Sequence, residues 1–420
     1  MWRHVPHFIL QPSRHVFSWS LSRAVVPCAN VSTNCGEKDG FDCPVHVPVL
    51  LRETLAAFSR KRFDTGGPRH FVDGTAGFGG HSRAMLQHFP DVKLLCVDRD
   101  PEVLRIAQTN LADFQDRVRF SNGSYNDLEM HLKMAGFPKE VDGILVDLGA
   151  NSFHFDTARR GFSVLHDGPL DMRFNQQDAQ AQTAANAVNT LSEVQLTKIF
   201  RDFGEEKLAK EFAKAIVRER EERGKVFETT RDLRESIERI ANMWKSVKKG
   251  KNKKKKKSNR ASKVGSTHPA TRCFQALRIY VNDELNHVER GVKKLVNHLA
   301  PNGRLVTIAF HSLEDRPIKD FFRELVRSMV QDVVHVLFLL MSVLVHTRTS
   351  TAGLKQMKMM SGMMKTATMK TRLNQRKTPI HSVKKRFRLQ RRKATKASAE
   401  EVATNSRSRS ARLRCLERIG

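Results

Sequence analysis

Three aspartates, Asp73, Asp98 and Asp147, each come directly after a short run of β-forming residues in the first half of the chain. Runs of this kind, separated by helix-like segments, predict parallel strands, and the carboxyl ends of parallel strands line one crevice. A single aspartate at such a place is commonly a helix cap or a turn residue, whereas three together indicate a ligand site. Their carboxylates could accept hydrogen bonds from hydroxyl and ammonium groups.

A glycine-rich segment follows the first of these acids and predicts a tight turn between a strand and a helix. Its four glycines are Gly74, Gly77, Gly79 and Gly80. Glycine accepts positive φ and lets a ligand approach bare backbone. A Walker phosphate loop would need Lys followed by Ser or Thr after the glycines, where this chain has His81-Ser82. The NAD fingerprint would need a glycine at position 82. The turn therefore matches neither nucleotide motif.

The combination of acids and glycines favours S-adenosylmethionine over a nucleotide bound through its phosphates. This cofactor carries a ribose, an α-ammonium and a sulfonium, and it has no phosphate. Asp98 lies 18 residues after Gly80, where doubly wound folds place the acid that binds ribose hydroxyls. We therefore expect S-adenosylmethionine at the carboxyl ends of these strands.

The elements that must position these groups follow from hydrophobic periodicity. Apolar runs predict strands ending at Asp73, Asp98 and Asp147, a short strand at 118–120 and a fifth strand at 303–310. The strands alternate with helix-like segments, which predicts an α/β fold with a Rossmann-like sheet.

Residues from about 156 to 265 interrupt this alternation and predict an inserted helical domain. Helices are expected at 191–199, 205–223 and 230–247. Ser192 and Thr230 are the expected N-caps of two of them. The alternation resumes with a helix that follows His268 and carries apolar residues through Leu285.

The net charge of +30 is concentrated in three segments without acids. Residues 1–36 contain three Lys and Arg, residues 245–263 contain eleven, and residues 333–399 contain sixteen. The rest of the chain is therefore close to neutral, as in a globular enzyme with basic appendages. Such appendages suit a polyanion such as RNA, because neutralising phosphates releases counterions. The alternative is that they are solvated charged runs without a partner.

The first 40 residues have the composition of a mitochondrial transit peptide, since they are rich in Arg, His and Ser and contain no acid before Glu37. A secretory signal would need an uninterrupted apolar run, which Arg14 and His15 break. The six cysteines form no C-x-x-C pair, so a reducing compartment without a structural metal is expected. The apolar run at 333–345 is shorter than the roughly twenty residues that span a bilayer, so no membrane partner is expected.

These observations divide the chain into five segments. They are a transit peptide at 1–40, the first part of the α/β domain at 46–155, the inserted helical domain at 156–265 with an exposed Lys-rich loop at 245–263, the second part of the α/β domain at 266–326, and a basic, partly disordered tail at 327–420.

Several longer motifs carry a family resemblance and cover most of residues 46–323 in order. They are Asp73-Gly74-Thr75, Gly79-Gly80-His81-Ser82, Asp98-Arg99-Asp100-Pro101, Asp147-Leu148-Gly149, Arg160-Gly161-Phe162-Ser163, the segment 167–173, Gly204-Glu205-Glu206, the segment 268–285 and the segment 310–316. Through them the chain resembles the MraW/RsmH family of S-adenosylmethionine-dependent small-subunit rRNA cytosine-N4 methyltransferases. With the presequence, the resemblance implies a mitochondrial member that acts on 12S rRNA.

The resemblance implies a class I S-adenosylmethionine-dependent methyltransferase fold with a helical domain inserted after the fourth strand. It also implies a set of cofactor contacts. They are Gly79, Gly80, His81, Asp98, Tyr125, Asp147 and His154. Tyr125 replaces the more usual Phe and still offers a ring to the adenine. His154 stands where the bacterial pattern has Gln, and either side chain can donate a hydrogen bond.

The chemistry expected of such an enzyme is methyl transfer to the exocyclic N4 of cytosine, a poor nucleophile whose amino protons need acceptors. Asp147 and His311 are the catalytic candidates, with Asp147 as a cofactor ligand equally open. Asp171 and Arg173 are the expected cytosine pocket. Arg278 is expected either to contact a phosphate of the RNA or to form a structural ion pair.

The expected partners are mitochondrial small-subunit rRNA, the assembling small subunit and its assembly factors, in the mitochondrial matrix. An alternative is a basic assembly factor that binds rRNA without turnover. A methylase of proteins or small molecules is disfavoured by the basic appendages.

Overall fold

One seven-stranded sheet forms the centre of the protein. The computed structural model describes residues 48–59, 69–251, 268–328 and 386–419. The strands are β1 (Arg69–Asp73), β2 (Val92–Asp98), β3 (Val118–Asn122), β4 (Val141–Asp147), β5 (Leu299–Ala309), β6 (Arg386–Leu389) and β7 (Arg412–Ile419). Their order across the sheet is β3-β2-β1-β4-β5-β7-β6. The transit peptide at 1–40, residues 252–263 of the Lys-rich loop and the apolar run at 333–345 lie outside the described residues.

Strand direction sets where the predicted site must lie. Strands β1 to β5 pair in parallel, and β7 pairs antiparallel with both β5 and β6. The chain reverses its direction of winding between β1 and β4, which are neighbours in the sheet. Ligands of doubly wound folds bind in the crevice at such a switch point. The carboxyl ends of β1, β2 and β4 carry Asp73, Asp98 and Asp147, as the sequence predicts.

Helices cover the sheet and form the insertion between β4 and β5. They are α1 (Leu51–Phe58), α2 (Gly80–His88), α3 (Pro101–Asn110), α4 (Leu128–Met134), α5 (Ser152–Asp156), α6 (Ala184–Thr190), α7 (Glu193–Asp202), α8 (Ala209–Arg223), α9 (Thr230–Lys251), α10 (Thr271–Val281), α11 (Glu284–Leu295), α12 (312–328) and α13 (Ala399–Thr404).

Alternating strand residues feed two separate cores, because successive side chains of a strand point to opposite faces. Phe71 and Leu94 belong to the core under α1, α2 and α3. Val72 and Leu95, one residue further along, belong to the core under α4, α11 and α12. A third core joins the helices α6 to α9 of the insertion with α10, which follows it, around buried aromatic rings such as Phe200. Among the described residues, no helix combines the length and the hydropathy that crossing a bilayer requires.

Several boundaries in the helical part differ from the sequence predictions, since the helices predicted at 191–199 and 205–223 span Glu193–Asp202 and Ala209–Arg223. Thr229, not Thr230, caps α9, since its Oγ1 accepts a hydrogen bond from the Asp232 N–H at 3.2 Å. The α9 helix continues to Lys251, so the start of the predicted Lys-rich loop is helical. The helix after His268 ends at Val281, and Leu285 lies on α11 instead. Ser192 caps α7 as predicted.

The basic C-terminal segment contains two strands of the sheet that the sequence analysis did not predict. Three arginines of β7 form ion pairs with acids of neighbouring elements. Arg412 and Arg414 pair with Asp315, and Arg418 pairs with Glu140. The charge of β7 obscured its strand pattern, because Asp315 and Glu140, which compensate three of its arginines, lie far away in the sequence.

Candidate active site

The turn after β1 is held against two neighbouring strands by its backbone. The Gly74 N–H donates to Leu145 O at 2.8 Å, and the Ala76 N–H donates to Val97 O at 3.0 Å. Gly77 and Gly79 have φ values of +54° and +83°, a region that favours glycine. A Cβ at Gly79 would also lie 3.0 Å from the Leu111 side chain. The turn therefore requires glycine at this position and exposes bare backbone at the switch point.

Asp73 anchors this turn from inside the protein. It is fully buried, and its carboxylate accepts hydrogen bonds from Ser82 Oγ at 2.7 Å and from the Thr75 N–H at 3.3 Å. Burial raises the pKa of the Asp73 carboxyl, although the Ser82 hydrogen bond and His81 oppose that rise. Of the three strand-ending acids, Asp73 is thus the one that shapes the backbone.

Asp98 is placed at the edge of the same turn by two backbone donors. The Gly77 N–H donates to Asp98 Oδ2 at 2.8 Å, and the Asp100 N–H donates to Asp98 Oδ1 at 2.9 Å. Burial raises the pKa of Asp98 to about 6, against the effect of these two hydrogen bonds. A carboxylate has about four lone-pair sites, so two remain for further donors such as ribose hydroxyls.

His81 and Asp147 meet where the turn reaches the end of β4. His81 Nε2 lies 3.5 Å from Asp147 Oδ2, while the Asp147 N–H donates to Thr75 Oγ1 at 2.7 Å. Both ring nitrogens of His81 and Oδ1 of Asp147 are buried and have no hydrogen-bond partner within the described part of the chain. Buried polar atoms are normally satisfied, so these three atoms indicate a place for a polar ligand. Gly80 is the first residue of α2, directly beside them.

Tyr125 lies against the other side of the turn. Its ring is buried, and it packs so closely on Gly291 that a Cβ there would collide with the ring, while a Cβ at Gly74 would lie 3.1 Å from the Tyr125 Cβ. Burial raises the pKa of its hydroxyl. The aromatic ring predicted for the adenine is therefore rigidly held next to the β1 turn.

His154 is occupied by contacts within the chain. Its Nδ1 accepts a hydrogen bond from the Asn151 N–H at 3.2 Å, so its Nε2 carries the proton and donates to Asp100 Oδ2 at 3.0 Å. Burial lowers the pKa of His154 despite the Asp100 carboxylate, which keeps the ring neutral. A hydrogen bond from His154 to a ligand, as the resemblance implies, would have to replace one of these contacts.

His311 follows β5, beside the end of β4. Its Nε2 lies 3.0 Å from Oε1 of the buried Glu314, but neither ring nitrogen has an aligned hydrogen-bond partner among the residues described. The Phe310 N–H donates to Glu314 Oε2 at 2.9 Å. Burial raises the pKa of Glu314, but His311, Arg278 and the Phe310 N–H outweigh burial, so the net shift is downward and the carboxylate stays charged.

The predicted substrate residues form ion pairs of their own. Arg278 donates through Nε and Nη2 to both carboxylate oxygens of Glu284 at 2.8 Å, which is the structural ion pair that the sequence left open. Arg173 binds Asp171 in the same two-pronged way, at 2.9 Å and 2.8 Å. Burial raises the pKa of Asp171, but its bonds with Arg173 outweigh burial and the net shift is downward.

Sequence reasoning missed three acids next to the site: Glu284, Glu314 and Asp100. All three stand inside motifs that carried the family resemblance, so motif membership was the one signal that could have indicated them. Their partners, Arg278, His311 and Arg160, could be assigned only from the fold.

The residues present fit S-adenosylmethionine on structural grounds. The unpartnered atoms of His81 and Asp147, the free lone pairs of Asp98 and the positive-φ glycines of the turn lie together at the switch point. This arrangement suits a ligand with hydroxyl and ammonium groups and without phosphate. In the sheet, the antiparallel strand β7 lies next to the parallel strand β5. Together, this strand order and this site define a class I S-adenosylmethionine-dependent methyltransferase.

Comparison with known proteins agrees with that class. Residues 44–343 match the MraW methylase family. A relative from Carboxydothermus hydrogenoformans, named ribosomal RNA small subunit methyltransferase H, is 42% identical over 278 residues, which are 66% of this chain and 80% of the relative. A protein of the same name from Shewanella violacea is 36% identical over 377 residues, or 89% of this chain and 97% of the relative. The chain belongs to the MraW methylase family.

Proposed function

We propose that this protein transfers a methyl group from S-adenosylmethionine to N4 of a cytidine in small-subunit rRNA. The observation that carries the proposal is the set of unpartnered polar atoms of His81 and Asp147 beside the glycine turn, in a chain of the MraW family. Relatives named ribosomal RNA small subunit methyltransferase H support the substrate class.

The cofactor would be held by groups already described. Asp98 would accept the ribose hydroxyls, Tyr125 would contact the adenine, and His81 and Asp147 would face the methionine moiety beside the backbone of Gly79 and Gly80. When bound, S-adenosylmethionine supplies a methyl group on a sulfonium.

The acceptor side of the reaction requires groups that receive protons from the cytosine amine, because its lone pair is delocalised into the ring. Asp147 ends β4, and His311 follows the end of β5; in the ladder Asp147 pairs with Ile308. Both side chains carry nitrogen or oxygen atoms without an aligned partner in the described residues. These free atoms support a role for both side chains in accepting the amino protons of a base that has left its stack.

The cellular setting belongs to the same proposal. The presequence at 1–40, which has no acid before Glu37, supports import into the mitochondrial matrix. There the substrate would be 12S rRNA in the assembling small subunit, with assembly factors as further partners. The basic segments would supply contacts to phosphates.

The test is methyl transfer from labelled S-adenosylmethionine to mitochondrial small-subunit rRNA, with nuclease digestion and mass spectrometry to identify N4-methylcytidine. Wild type should form it, whereas Asp98→Ala and Gly79→Arg should not. Mapping the modified nucleoside in cells with and without the protein gives the matching observation in vivo. If the protein only binds rRNA, the Asp98→Ala variant should still restore small-subunit assembly in a deletion strain. That outcome would favour the non-catalytic alternative.

A further inference from the structure

Arg160 is a charged side chain sealed inside the protein, with 1% of its surface exposed. Its Nη2 donates to Asp100 Oδ2 and, at 2.7 Å, to Phe174 O, while its Nη1 donates to Glu102 Oε2 at 3.2 Å. Burying a guanidinium is costly unless its partners compensate for the lost hydration. An arginine in this position therefore indicates a role that an apolar side chain could not fill.

Asp100 connects Arg160 to the cofactor side of the site. The Asp100 carboxylate is buried, caps α3 by accepting the Glu102 N–H at 2.9 Å, and binds both His154 and Arg160. The backbone N–H of Asp100 donates to Asp98 Oδ1. The position of the Asp98 carboxylate therefore depends on where Asp100 is held.

Arg160 is also connected to the predicted substrate segment, residues 171–174. The Arg160 carbonyl accepts the Met172 N–H at 3.0 Å, and its Nη2 donates to Arg173 O at 3.3 Å. The Arg173 backbone carries the side chain that pairs with Asp171. One guanidinium thus contacts the loop that orients the cofactor acid and the backbone of the expected cytosine pocket.

We propose that Arg160 is a positioning residue that couples the two halves of the site, so that binding of the cofactor and binding of RNA favour one another. The inference rests on the proposed function, because it takes Asp98 as the cofactor acid and segment 171–174 as part of the RNA site. The physical link runs from the Asp98 carboxylate through Asp100 to Arg160 and on to the carbonyls of Arg173 and Phe174. Each link is a hydrogen bond among buried or half-buried groups, where polar interactions are strong.

The decisive variant is Arg160→Lys, which keeps the charge but loses the planar fork that reaches several acceptors at once. The measurements are the Kd of S-adenosylhomocysteine by calorimetry, with and without a transcript of mitochondrial small-subunit rRNA, and kcat and KM for that RNA. In wild type, RNA should tighten cofactor binding. In Arg160→Lys, the Kd of S-adenosylhomocysteine should rise about tenfold. The ratio of its Kd without RNA to its Kd with RNA should fall towards one.

Arg159→Lys is the matched control. Arg159 is the neighbouring arginine, its side chain is 51% exposed, and it pairs with Glu102 without contacting Asp100. It should behave as wild type in every measurement. Thermal unfolding verifies that each variant is folded, and Asp100→Asn replaces Arg160→Lys with the same expectations if the lysine variant does not fold.

Two results would overturn the coupling. The first is that Arg160→Lys binds S-adenosylhomocysteine with wild-type Kd values, both with and without RNA. The second is that both Kd values rise while their ratio stays the same, which is the behaviour of a purely structural residue. A wild-type protein that binds no S-adenosylhomocysteine or methylates no RNA contradicts the proposed function instead. The two failures are therefore distinguishable.

Discussion

His81 Nε2 lies 3.5 Å from Asp147 Oδ2, although the two residues belong to different elements, the first turn of α2 and the end of β4. The contact closes the glycine turn against the neighbouring strand. It leaves both ring nitrogens of His81 and one oxygen of Asp147 without hydrogen-bond partners in the described residues. Burying such atoms without hydrogen-bond partners costs free energy. A ligand that supplies donors and acceptors there would therefore gain binding free energy.

Asp147→Asn should weaken S-adenosylmethionine binding by about 10- to 150-fold, because a hydrogen bond to a charged group contributes roughly 1.5–3 kcal/mol. Calorimetry on the purified protein measures the Kd. Asp142→Asn is the control, since Asp142 lies on the same strand and accepts the His70 N–H at 3.0 Å, away from the site. An unchanged Kd with a reduced kcat would assign Asp147 to the acceptor chemistry alone.

Asp98→Asn should abolish cofactor binding, and in the cofactor-free protein it should gain stability relative to wild type as pH rises from 4 to 7.5. The folded pKa of Asp98 is raised from 3.8 to about 6, so the folded chain binds the proton more tightly than the unfolded chain. The free energy of unfolding therefore falls as pH rises from about 4 to about 6. Above pH 6 the loss is constant and amounts to at most about 3 kcal/mol.

Urea unfolding of both proteins at pH 7.5 and at pH 4 checks this linkage. The difference in stability between Asp98→Asn and wild type should shift in favour of the variant between pH 4 and pH 7.5. A part of the difference that does not depend on pH reflects the acceptor oxygen that the amide lacks, since Gly77 and Asp100 both donate to the carboxylate. Asp116→Asn, at an exposed aspartate, should show no such shift. A difference that is the same at both pH values would contradict a raised pKa for Asp98.

Gly161→Ala should be far more destabilising than Gly224→Ala, although both glycines have positive φ, +74° and +60°. A Cβ at Gly161 would collide with Pro169 O and Asp171 N, whereas a Cβ at Gly224 meets no described atom within 4 Å. We expect about 1 kcal/mol for Gly224→Ala from backbone strain alone and at least about 3 kcal/mol for Gly161→Ala. Denaturant midpoints measure both, and equal losses would refute the steric argument.

Arg414→Ala should cost about 3–5 kcal/mol at pH 7, because it leaves the buried Asp315 carboxylate with a single partner. Arg414 donates to both oxygens of Asp315, at 2.7 Å and 3.0 Å, and Arg412 adds a third bond at 3.1 Å. Burial raises the pKa of Asp315, but these arginines outweigh burial, so the folded pKa lies below the ordinary value.

The stability that the arginines contribute is therefore present above the unfolded pKa of Asp315 and is lost as pH falls through the folded pKa. The difference between Arg414→Ala and wild type should accordingly shrink in acid. Arg407→Ala is the control, since Arg407 and its partner Asp156 are both exposed. A loss as small as that of the control would show that β7 is held by its backbone pairing alone.

Much of the sheet could be predicted from local pattern. The strand ends at Asp73, Asp98 and Asp147 agree with the structure, because a buried parallel strand is a continuous apolar run and a polar residue marks its end. The same reasoning failed for β6 and β7. In β7 Arg412 and Arg414 alternate with buried Leu413 and Cys415, and the charge obscured the alternation.

The members of the candidate site could be proposed from the sequence, but their contacts could not. Asp98 and Asp147 were expected because each ends a strand, and Gly79 because it lies in the turn, whereas His81 and His154 rested on the family resemblance. The structure gives His154 a partner within the chain, Asp100, and gives Arg278 the ion pair with Glu284 that the sequence left open. A local sequence pattern does not show which distant residue of the chain a side chain will bind.

The sequence by itself determined the α/β class, the glycine turn and the acids at the strand ends, because these depend on residues close together along the chain. Only the tertiary structure decided which acid is buried as an anchor and which faces the crevice. It alone brought Arg160 to Asp100 and Arg414 to Asp315. Such pairs form because burial makes an unpartnered charge costly, and that cost exists only after the fold has placed distant residues together.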